Sequence, residues 1–347
     1  ERKTQIIYSS EEFNAEDFYA DDEMIITISH LGYIKRTPLT EFRTQNRGGV
    51  GAKGSDTRDE DFIEYIYPAS MHNYMLFFTQ KGKCFWLKVY EIPEGAKNSK
   101  GRAIQNLLNI DADDKVNAFI RVKKLQDPEY NLTHNLVFCT KKGVIKKTRL
   151  EAYSRPRTNG VNAITIREDD QVIQVRLTTG NSEIIMANRE GRAIRFHETT
   201  VREMGRTATG VRGMTLDESV NDEVVGMICV NDPETETIMV VSEQGYGKRS
   251  EIEDYRITNR GGKGVKTLNI TPKTGKLVAI KNVTDENDLV IINKSGITLR
   301  IKVADIRVMG RATQGVRLIN LEKRNDEIAS VCKVASESSE FTDTIEN

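Results

Sequence analysis

The sequence predicts an all-β fold built from six repeats of about fifty residues, as in a propeller or another repeat array. Two glycines at a nearly constant spacing recur in every repeat. The first glycine separates two short runs of β-branched and aromatic residues, which is the signature of a β-hairpin. Seven prolines and scarce helical periodicity leave little room for long helices.

The glycine pairs define the repeats. Their first members are Gly32, Gly82, Gly143, Gly191, Gly245 and Gly296. Their second members are Gly51, Gly101, Gly160, Gly210, Gly264 and Gly315, so the spacing is 19 residues in five repeats and 17 in the third. The hairpins, and with them the repeats, are expected to start near residues 24, 74, 136, 183, 237 and 289.

Each repeat follows the same order, which the fourth repeat illustrates. A hairpin around Gly191 is followed by a polar loop that ends at Gly210. A short apolar run at 211–214, an acidic segment at 217–222 and a further apolar run at 224–230 complete the repeat. The pattern therefore predicts roughly four strands per repeat.

The flanks of the array differ from it in composition. Residues 1–20 are polar and acidic and are interpreted as a lead-in, and residues 336–347 form a Ser-rich, acidic tail that we expect to be disordered. The array itself is predicted over residues 21–335. Because the chain begins with Glu1, we expect it to be a piece of a longer polypeptide.

Composition excludes several classes of function. The 51 basic and 51 acidic side chains cancel, and no apolar stretch approaches the length of a membrane span. The cysteines lie far apart in apolar runs, which predicts buried thiols in a reducing compartment and no metal site. The four histidines are also scattered, so no catalytic residues are predicted. The cysteines are Cys84, Cys139, Cys229 and Cys332.

Basic residues occupy fixed positions in the repeats. The first basic column lies four residues after the first glycine and consists of Arg36, Trp86, Lys147, Arg195, Arg249 and Arg300. The second column lies four residues before the second glycine and consists of Arg47, Lys97, Pro156, Arg206, Arg260 and Arg311. The third column lies two residues after the second glycine and consists of Lys53, Ala103, Asn162, Arg212, Lys266 and Arg317. Further cations, including Lys35, Lys146, Lys248 and Lys263, adjoin these columns.

In a closed ring, equivalent positions share one radius and height, so the columns predict a basic belt on a neutral protein. Such a belt suits the phosphates of double-stranded DNA that bends around the ring, without readout of the bases. The alternative is that these residues are solvated outer faces of strands, on which Lys and Arg are common.

A glycine-rich loop, Gln45-Asn46-Arg47-Gly48-Gly49-Val50-Gly51, ends the first glycine pair. It lacks the G-x-x-x-x-G-K-[ST] pattern of a nucleotide-binding loop. Residues 259–264 are a near copy in the fifth repeat, a place where a cofactor site would not recur. We therefore interpret the loop as a close approach of the backbone to another backbone or to DNA.

The loop resembles the GyrA box, Q-R-R-G-G-K-G, of the C-terminal domain of DNA gyrase A subunits. Residues 88–93, 210–213, 245–249 and 308–316 also resemble that family, and the resemblance extends over about residues 20–335. It implies a six-bladed β-pinwheel, a propeller-like ring of four-stranded blades that exchange strands with their neighbours.

The resemblance also implies the function. The domain would wrap double-stranded DNA around its rim and present it for strand passage and negative supercoiling by an ATP-dependent type IIA topoisomerase, an isomerase of the bacterial cytoplasm and nucleoid. It would have no catalytic residue, metal or cofactor of its own, since ATP and Mg²⁺ are used elsewhere in the holoenzyme. Its partners would be DNA, the gyrase B subunit, and the rest of the gyrase A subunit. The implied site is the box together with a rim made of Lys35, Arg36, Lys53, Lys97, Lys146, Lys147, Arg195, Arg206, Arg212, Lys248, Arg249, Arg260, Lys263, Lys266, Arg300, Arg311 and Arg317.

Two positions depart from the family pattern, since Asn46 and Val50 replace basic residues of the box. A weaker grip on DNA is expected there. The corresponding C-terminal domain of topoisomerase IV remains an alternative, although six full repeats and a near-complete box favour gyrase. A propeller that binds acidic proteins is a more distant alternative.

Overall fold

The computed structural model of the chain describes residues 14–42, 61–230, 232–295, 298–321 and 325–335. Its strands are β1 (Glu23–Ser29), β2 (Tyr33–Pro38), β3 (Ile63–Ser70), β4 (Tyr74–Thr79), β5 (Lys83–Lys88), β6 (Arg102–Ala103), β7 (Val116–Val122), β8 (Asn135–Thr140), β9 (Val144–Arg149), β10 (Val161–Asn162), β11 (Val172–Thr178), β12 (Glu183–Asn188), β13 (Arg192–His197), β14 (Val211–Arg212), β15 (Val224–Val230), β16 (Thr237–Ser242), β17 (Tyr246–Glu251), β18 (Val265–Lys266), β19 (Leu277–Val283), β20 (Asn287–Asn293), β21 (Thr298–Lys302), β22 (Val316–Arg317) and β23 (Ile328–Ala335).

Helical structure is limited to single turns in the described ranges. One short α-helix, α1 (Pro128–Thr133), begins with Asp127 as its N-cap. The 3₁₀ turns are Ala15–Phe18, Leu39–Phe42, Val89–Glu91, Ile104–Asn106, Leu150–Tyr153, Glu198–Thr200, Glu218–Val220, Ile252–Asp254 and Val303–Asp305. None of the described helices is long and apolar enough to cross a membrane.

The strands form six antiparallel sheets, one per repeat, which we call blades 1 to 6. From the innermost strand outward they are β3-β1-β2-β6, β7-β4-β5-β10, β11-β8-β9-β14, β15-β12-β13-β18, β19-β16-β17-β22 and, for the residues described, β23-β20-β21. In blades 1 to 5 the outermost strand comes from the following repeat. The prediction of an all-β, six-bladed, propeller-like fold with strand exchange is confirmed.

In repeats 2 to 6, the second glycine of the pair makes this exchange possible. Gly264 and Gly315 directly precede the exchanged strands β18 and β22 and have φ of +74° and +81°. A Cβ atom at Gly264 would lie 2.4 Å from the carbonyl oxygen of Ala193, and one at Gly315 would lie 2.6 Å from that of Gly247. Any larger residue would therefore clash with the hairpin that receives the strand.

The core lies between the blades, because each sheet is apolar on both faces. In β4, Met75 and Phe77 pack toward blade 1, whereas Leu76 and Phe78 pack toward blade 3. This alternation follows the two-residue period of a strand. Large apolar clusters of this kind fill the five seams from blade 1 to blade 6.

The sixth seam, between blades 6 and 1, closes the ring. There β23 contacts β3, and the described buried apolar cluster consists of Val290, Cys332 and Val334, with Phe62 and Ile292 packed against it. The innermost strands of all six blades surround a central cavity of about 240 Å³. Among the described residues, this seam thus has a much smaller buried apolar cluster than the other five.

Candidate nucleic-acid interface

The glycine-rich box at 45–51 and Lys53 lie outside the described residues, so their place in the site remains a prediction. The near copy at 259–264 is described. Gly261 donates its N–H to the carbonyl of Gly213 at 2.7 Å, and Thr215 donates its N–H to the carbonyl of Gly262 at 2.9 Å. In this copy, the glycines allow one repeat's loop to pair with the backbone of the preceding repeat.

Three predicted rim lysines are buried within the ring. Lys35 Nζ donates to the carbonyls of Ala96, Lys97 and Ser99 at 2.6 to 2.9 Å. Lys248 Nζ similarly donates to the carbonyls of Gly310, Arg311 and Thr313. Each lysine therefore fastens the loop that carries the exchanged strand.

Lys146 occupies the same position in blade 3 and is fully buried. Its Nζ donates to the carbonyl of Ala163 at 2.6 Å and to that of Arg206. Burial, together with Arg206 nearby, lowers the pKa of Lys146 to about 7, and burial with Arg311 nearby does the same for Lys248. Burial also lowers the pKa of Lys35.

The first basic column is also turned inward in four repeats. Arg195 Nη1 donates to the carbonyls of Ile252 and Tyr255 at 3.1 and 2.9 Å, at the 3₁₀ turn of the next repeat. Arg249 makes the equivalent bonds to Val303 and Ile306, and Lys147 reaches the carbonyl of Glu198 at 3.0 Å. Arg36 is buried as well and pairs with Glu94.

Trp86 explains what this column has in common. Its indole Nε1 donates to the carbonyl of Tyr153 at 2.9 Å, which is the bond that Arg195 makes to Tyr255 in blade 4. The shared requirement is therefore a buried N–H donor toward the next repeat's 3₁₀ turn, and a positive charge is not needed.

The structure thus corrects part of the predicted rim. Seven cations, which we call the inner tier, are at most 9% exposed and bond to the protein's own carbonyls and carboxylates, so they are not available as a phosphate-binding surface. The inner tier consists of Lys35, Lys146, Lys248, Arg36, Lys147, Arg195 and Arg249. Arg300 completes the column in blade 6 but is exposed, with its Nε bonded to Asp288 at 2.8 Å.

The second column lies on the outside, where its arginines connect the outer strands. Arg260 donates from Nη1 to the carbonyl of Arg212 at 3.0 Å and from Nε to that of Thr200 at 2.9 Å. Arg311 bonds in the same way to the carbonyls of Lys266 and Asp254. Because a guanidinium has five N–H donors, these arginines are held in place with donors left for a phosphate.

The described members of the third column lie on the exchanged strands themselves. Arg212, Lys266 and Arg317 are exposed and belong to β14, β18 and β22, the outermost strands of blades 3, 4 and 5. Arg317 donates to the Tyr246 hydroxyl, with Nη2 at 3.1 Å. Exposed Lys263 precedes β18, and Lys97 is half-buried beside blade 1.

These residues form a continuous outer row. Arg206 Nη1 donates to the carbonyl of Asn162 on β10 at 2.5 Å, so each of three successive outer strands is bound by an arginine of a later loop. We call this row the outer tier. It consists of Arg206, Arg260, Arg311, Arg212, Lys266 and Arg317.

A fourth basic column, which we did not predict from the sequence, adds to this surface. Arg202, Arg256 and Arg307 stand eight residues before the second glycine in repeats 4 to 6, and all three are exposed. Arg43 holds the same position in repeat 1 but lies outside the described residues. The same comparison between repeats would have found this column.

The outermost strand of blade 2, β10, carries Asn162 in place of a third-column cation, yet arginines lie nearby. A cavity of about 630 Å³ is lined by residues that include Arg149, Arg155, Arg157 and Arg206. Glu203 lies within it and bonds to Arg149 Nε at 2.6 Å. Part of the positive charge around this cavity is therefore neutralised locally.

Comparison with known proteins gives one family for the whole array. The family model for the DNA gyrase C-terminal domain, beta-propeller, matches six segments, at residues 23–70, 73–123, 134–179, 182–231, 236–284 and 287–332.

Individual relatives agree with this match. The DNA gyrase A subunit of Staphylococcus aureus strain NCTC 8325 is 43% identical over 343 residues, which is 99% of this chain and 38% of that protein. The crystal structure of the C-terminal domain of DNA topoisomerase IV aligns with a TM-score of 0.79 and 27% identity, over 92% of this chain and 95% of that one. A DNA gyrase A C-terminal domain aligns with a TM-score of 0.66 and 25% identity, over 90% and 99%.

Proposed function

The chain belongs to the DNA gyrase C-terminal domain family, and from this premise we propose that it binds double-stranded DNA along the outer tier and wraps it around the ring. The chain spans 38% of the length of the curated relatives it matches. Strand passage and ATP hydrolysis are accordingly proposed for parts of the protein and for partners other than these residues.

The observation that carries this proposal is the outer tier. Exposed cations lie on the outermost strands of three successive blades, and arginines on the loops of later repeats bond to carbonyls of three successive outer strands. A curved row of fixed cations binds the phosphates of a duplex without reading its bases. A duplex that bends to follow the row makes more of these contacts and binds more tightly.

In the proposed assembly, this domain presents the wrapped duplex to gyrase B and to the rest of the gyrase A subunit. It supplies no reacting group and uses no metal or cofactor for wrapping. ATP and Mg²⁺ serve the holoenzyme elsewhere. The proposed location is the bacterial cytoplasm at the nucleoid, where such a duplex is found.

A topology assay tests the proposal. Closed circular DNA is relaxed with a topoisomerase I in the presence of the chain, and the topoisomers are then separated by electrophoresis. Chiral wrapping is expected to shift the products toward a positive linking difference. Absence of DNA binding at low salt would contradict the proposal.

Variants test which residues are responsible for the wrapping. Arg212→Gln/Lys266→Gln/Arg317→Gln is expected to abolish the shift, whereas the control Lys115→Gln/Lys123→Gln/Lys124→Gln removes three exposed cations from the connections between blades and is expected to keep it. Replacement of Gln45–Gly51 by alanines, and Arg47→Ala alone, test whether the box completes the wrap.

The second candidate is the bending of DNA without chiral wrapping, the mode expected for the topoisomerase IV alternative. The observation that favours it is the TM-score of 0.79 to a topoisomerase IV C-terminal domain, against 0.66 to a gyrase domain. Tight binding with no shift in linking number would select this candidate.

A further inference from the structure

Three side chains with metal-binding atoms meet at the seam that closes the ring. His30 follows β1, Glu64 lies on β3, and Cys332 lies on β23 of the last blade. The nearest of the three in sequence to Cys332 is 268 residues away, so no local motif predicts the group. Their ligand atoms nevertheless all lie within 4.8 Å of one another, at the edge of the central cavity.

The distances resemble the edges of a metal coordination polyhedron. His30 Nδ1 lies 3.0 Å from Glu64 Oε2 and 3.9 Å from Cys332 Sγ. In a tetrahedral zinc site, ordinary zinc–ligand bond lengths place a nitrogen about 3.4 Å from an oxygen ligand and about 3.6 Å from a sulfur ligand. Small side-chain adjustments would therefore bring all three atoms to one ion.

The donor atoms select the class of metal. One imidazole, one carboxylate and one thiolate suit zinc and similar transition-metal ions, whereas Mg²⁺ and Ca²⁺ prefer oxygen alone. Three protein ligands would leave the fourth position to a water molecule from the cavity. The His30 ring is held by stacking on Phe62, with the ring centroids 5.1 Å apart.

We propose that His30, Glu64 and Cys332 form a site for a zinc-class divalent cation that cross-links the first and last blades. This seam is the one with the smallest described apolar core, so a cross-link there would contribute most to holding the ring closed. The site is independent of the outer tier and of DNA binding.

Charge around the site determines how binding depends on pH. Burial raises the pKa of the Cys332 thiol well above its usual range, so the metal must displace a proton. Burial alone would raise the pKa of Glu64, but the hydrogen bond with His30 and nearby charges, Lys281 among them, hold it below its ordinary value. Because a metal binds the thiolate and releases its proton, affinity is expected to rise with pH. Lys281 lines the same cavity, and Lys281→Gln is expected to strengthen binding by removing a competing cation.

Cobalt(II) provides the direct test. Co²⁺ titrated into the metal-free 347-residue chain is expected to give a thiolate-to-cobalt charge-transfer band with one ion per chain, and Zn²⁺ is expected to displace it. Cys332→Ser should lose the band, and His30→Ala and Glu64→Gln should weaken binding at least tenfold. Cys229→Ser is the matched control, because Cys229 is a similarly buried thiol on another innermost strand. No band in the unmodified chain, or a band that survives Cys332→Ser, would overturn the proposal.

Thermal unfolding tests separately whether the ion binds the folded chain in preference to the unfolded chain, as a site assembled by ring closure requires. At free Zn²⁺ equal to 100 times the dissociation constant, the equilibrium constant for unfolding is expected to fall about 100-fold, and the melting temperature to rise. The same Zn²⁺ should leave Cys332→Ser unchanged. Spectroscopic binding without any gain in stability would show that the unfolded chain binds the ion as tightly as the folded chain, so that closure of the ring does not assemble the site, and would overturn the proposal.

Discussion

The inner and outer tiers of cations are alike in sequence but opposite in structure. Both consist of Lys and Arg at fixed distances from the repeated glycines. In the inner tier the side chains are buried, and all but Arg36, which pairs with the Glu94 carboxylate, donate to backbone carbonyls of the next repeat. In the outer tier they are half-buried or exposed and lie on the exchanged strands and the loops before them.

The difference teaches that a repeated basic column does not by itself indicate a binding surface. A column can recur because every blade needs the same hydrogen-bond donor to hold its neighbour. The non-basic members distinguish the two kinds of column. In the first column, Trp86 keeps an N–H donor to the next repeat's 3₁₀ turn. In the third column, Ala103 and Asn162 share no such bond to that turn.

The largest effect is expected from the outer tier and concerns DNA affinity. Arg212→Gln/Lys266→Gln/Arg317→Gln should weaken binding at about 0.1 M salt by about 10²- to 10³-fold and reduce the slope of log K against log salt by about 3, because three phosphate contacts are lost. The free energy of unfolding should hardly change. Fluorescence anisotropy over a salt series, with urea unfolding, measures both.

An equal loss of DNA affinity in Lys115→Gln/Lys123→Gln/Lys124→Gln would contradict a special role of the outer tier. It would show that DNA responds to the protein's total charge and not to the outer tier.

The next largest effect is expected from the inner tier and concerns stability. Lys248→Met leaves the carbonyls of Gly310, Arg311 and Thr313 without their shared donor and should lower the free energy of unfolding by about 2 kcal/mol. The salt slope of DNA binding should stay the same. Urea unfolding gives the first quantity, with exposed Lys266→Met as the control, and an unchanged stability would contradict the structural role.

A smaller effect on the free energy of unfolding, about 1 kcal/mol, is expected at Trp86, the uncharged member of the first column. Trp86→Phe removes the donor to the Tyr153 carbonyl but keeps an aromatic ring, so the free energy of unfolding should fall by about the value of one buried hydrogen bond. Trp86→Arg should retain more of the stability than Trp86→Phe, since arginine makes this bond in blade 4. The reverse order in denaturant melts would refute the equivalence of donors.

The smallest effect is a pH dependence of stability. The pKa of Lys146 and of Lys248 is about 7 in the folded chain and 10.5 when exposed, so between these values the unfolded chain holds more protons and stability rises with pH. The carbonyl acceptors favour the ammonium form, which keeps the gain well below about 1.4 kcal/mol per pH unit for each lysine. Urea unfolding at about pH 6.5 and about pH 8.5 should show this gain in the unmodified chain and lose it in Lys146→Met/Lys248→Met.

The sequence predicted the fold well because the fold is repeated. A glycine recurs in the hairpin of all six repeats, with positive φ in the five where it is described, and a second glycine precedes each described exchanged strand, so the repeat is visible in the sequence. The direction of exchange could not be predicted, since β18 pairs with the preceding blade through backbone groups that every residue has.

The site was predicted only in part, for two physical reasons. Whether a lysine such as Lys146 faces solvent or a neighbouring loop depends on contacts between repeats, which the hydrophobic pattern within one strand does not reveal. The group at His30, Glu64 and Cys332 was missed because ring closure, and not local spacing, brings those residues together.

Because each repeat gives a strand only to the preceding blade, the ring should respond differently to force applied at its two ends. If tension detaches repeat 6, β22 leaves with it and blade 5 loses its outer edge; detaching repeat 1 leaves blade 2 with all four of its strands. Loss of one blade therefore weakens the blade that precedes it in the sequence, and not the blade that follows it. A load applied from the C-terminal side would peel the ring open in sequence, whereas the same load from the N-terminal side would meet intact sheets.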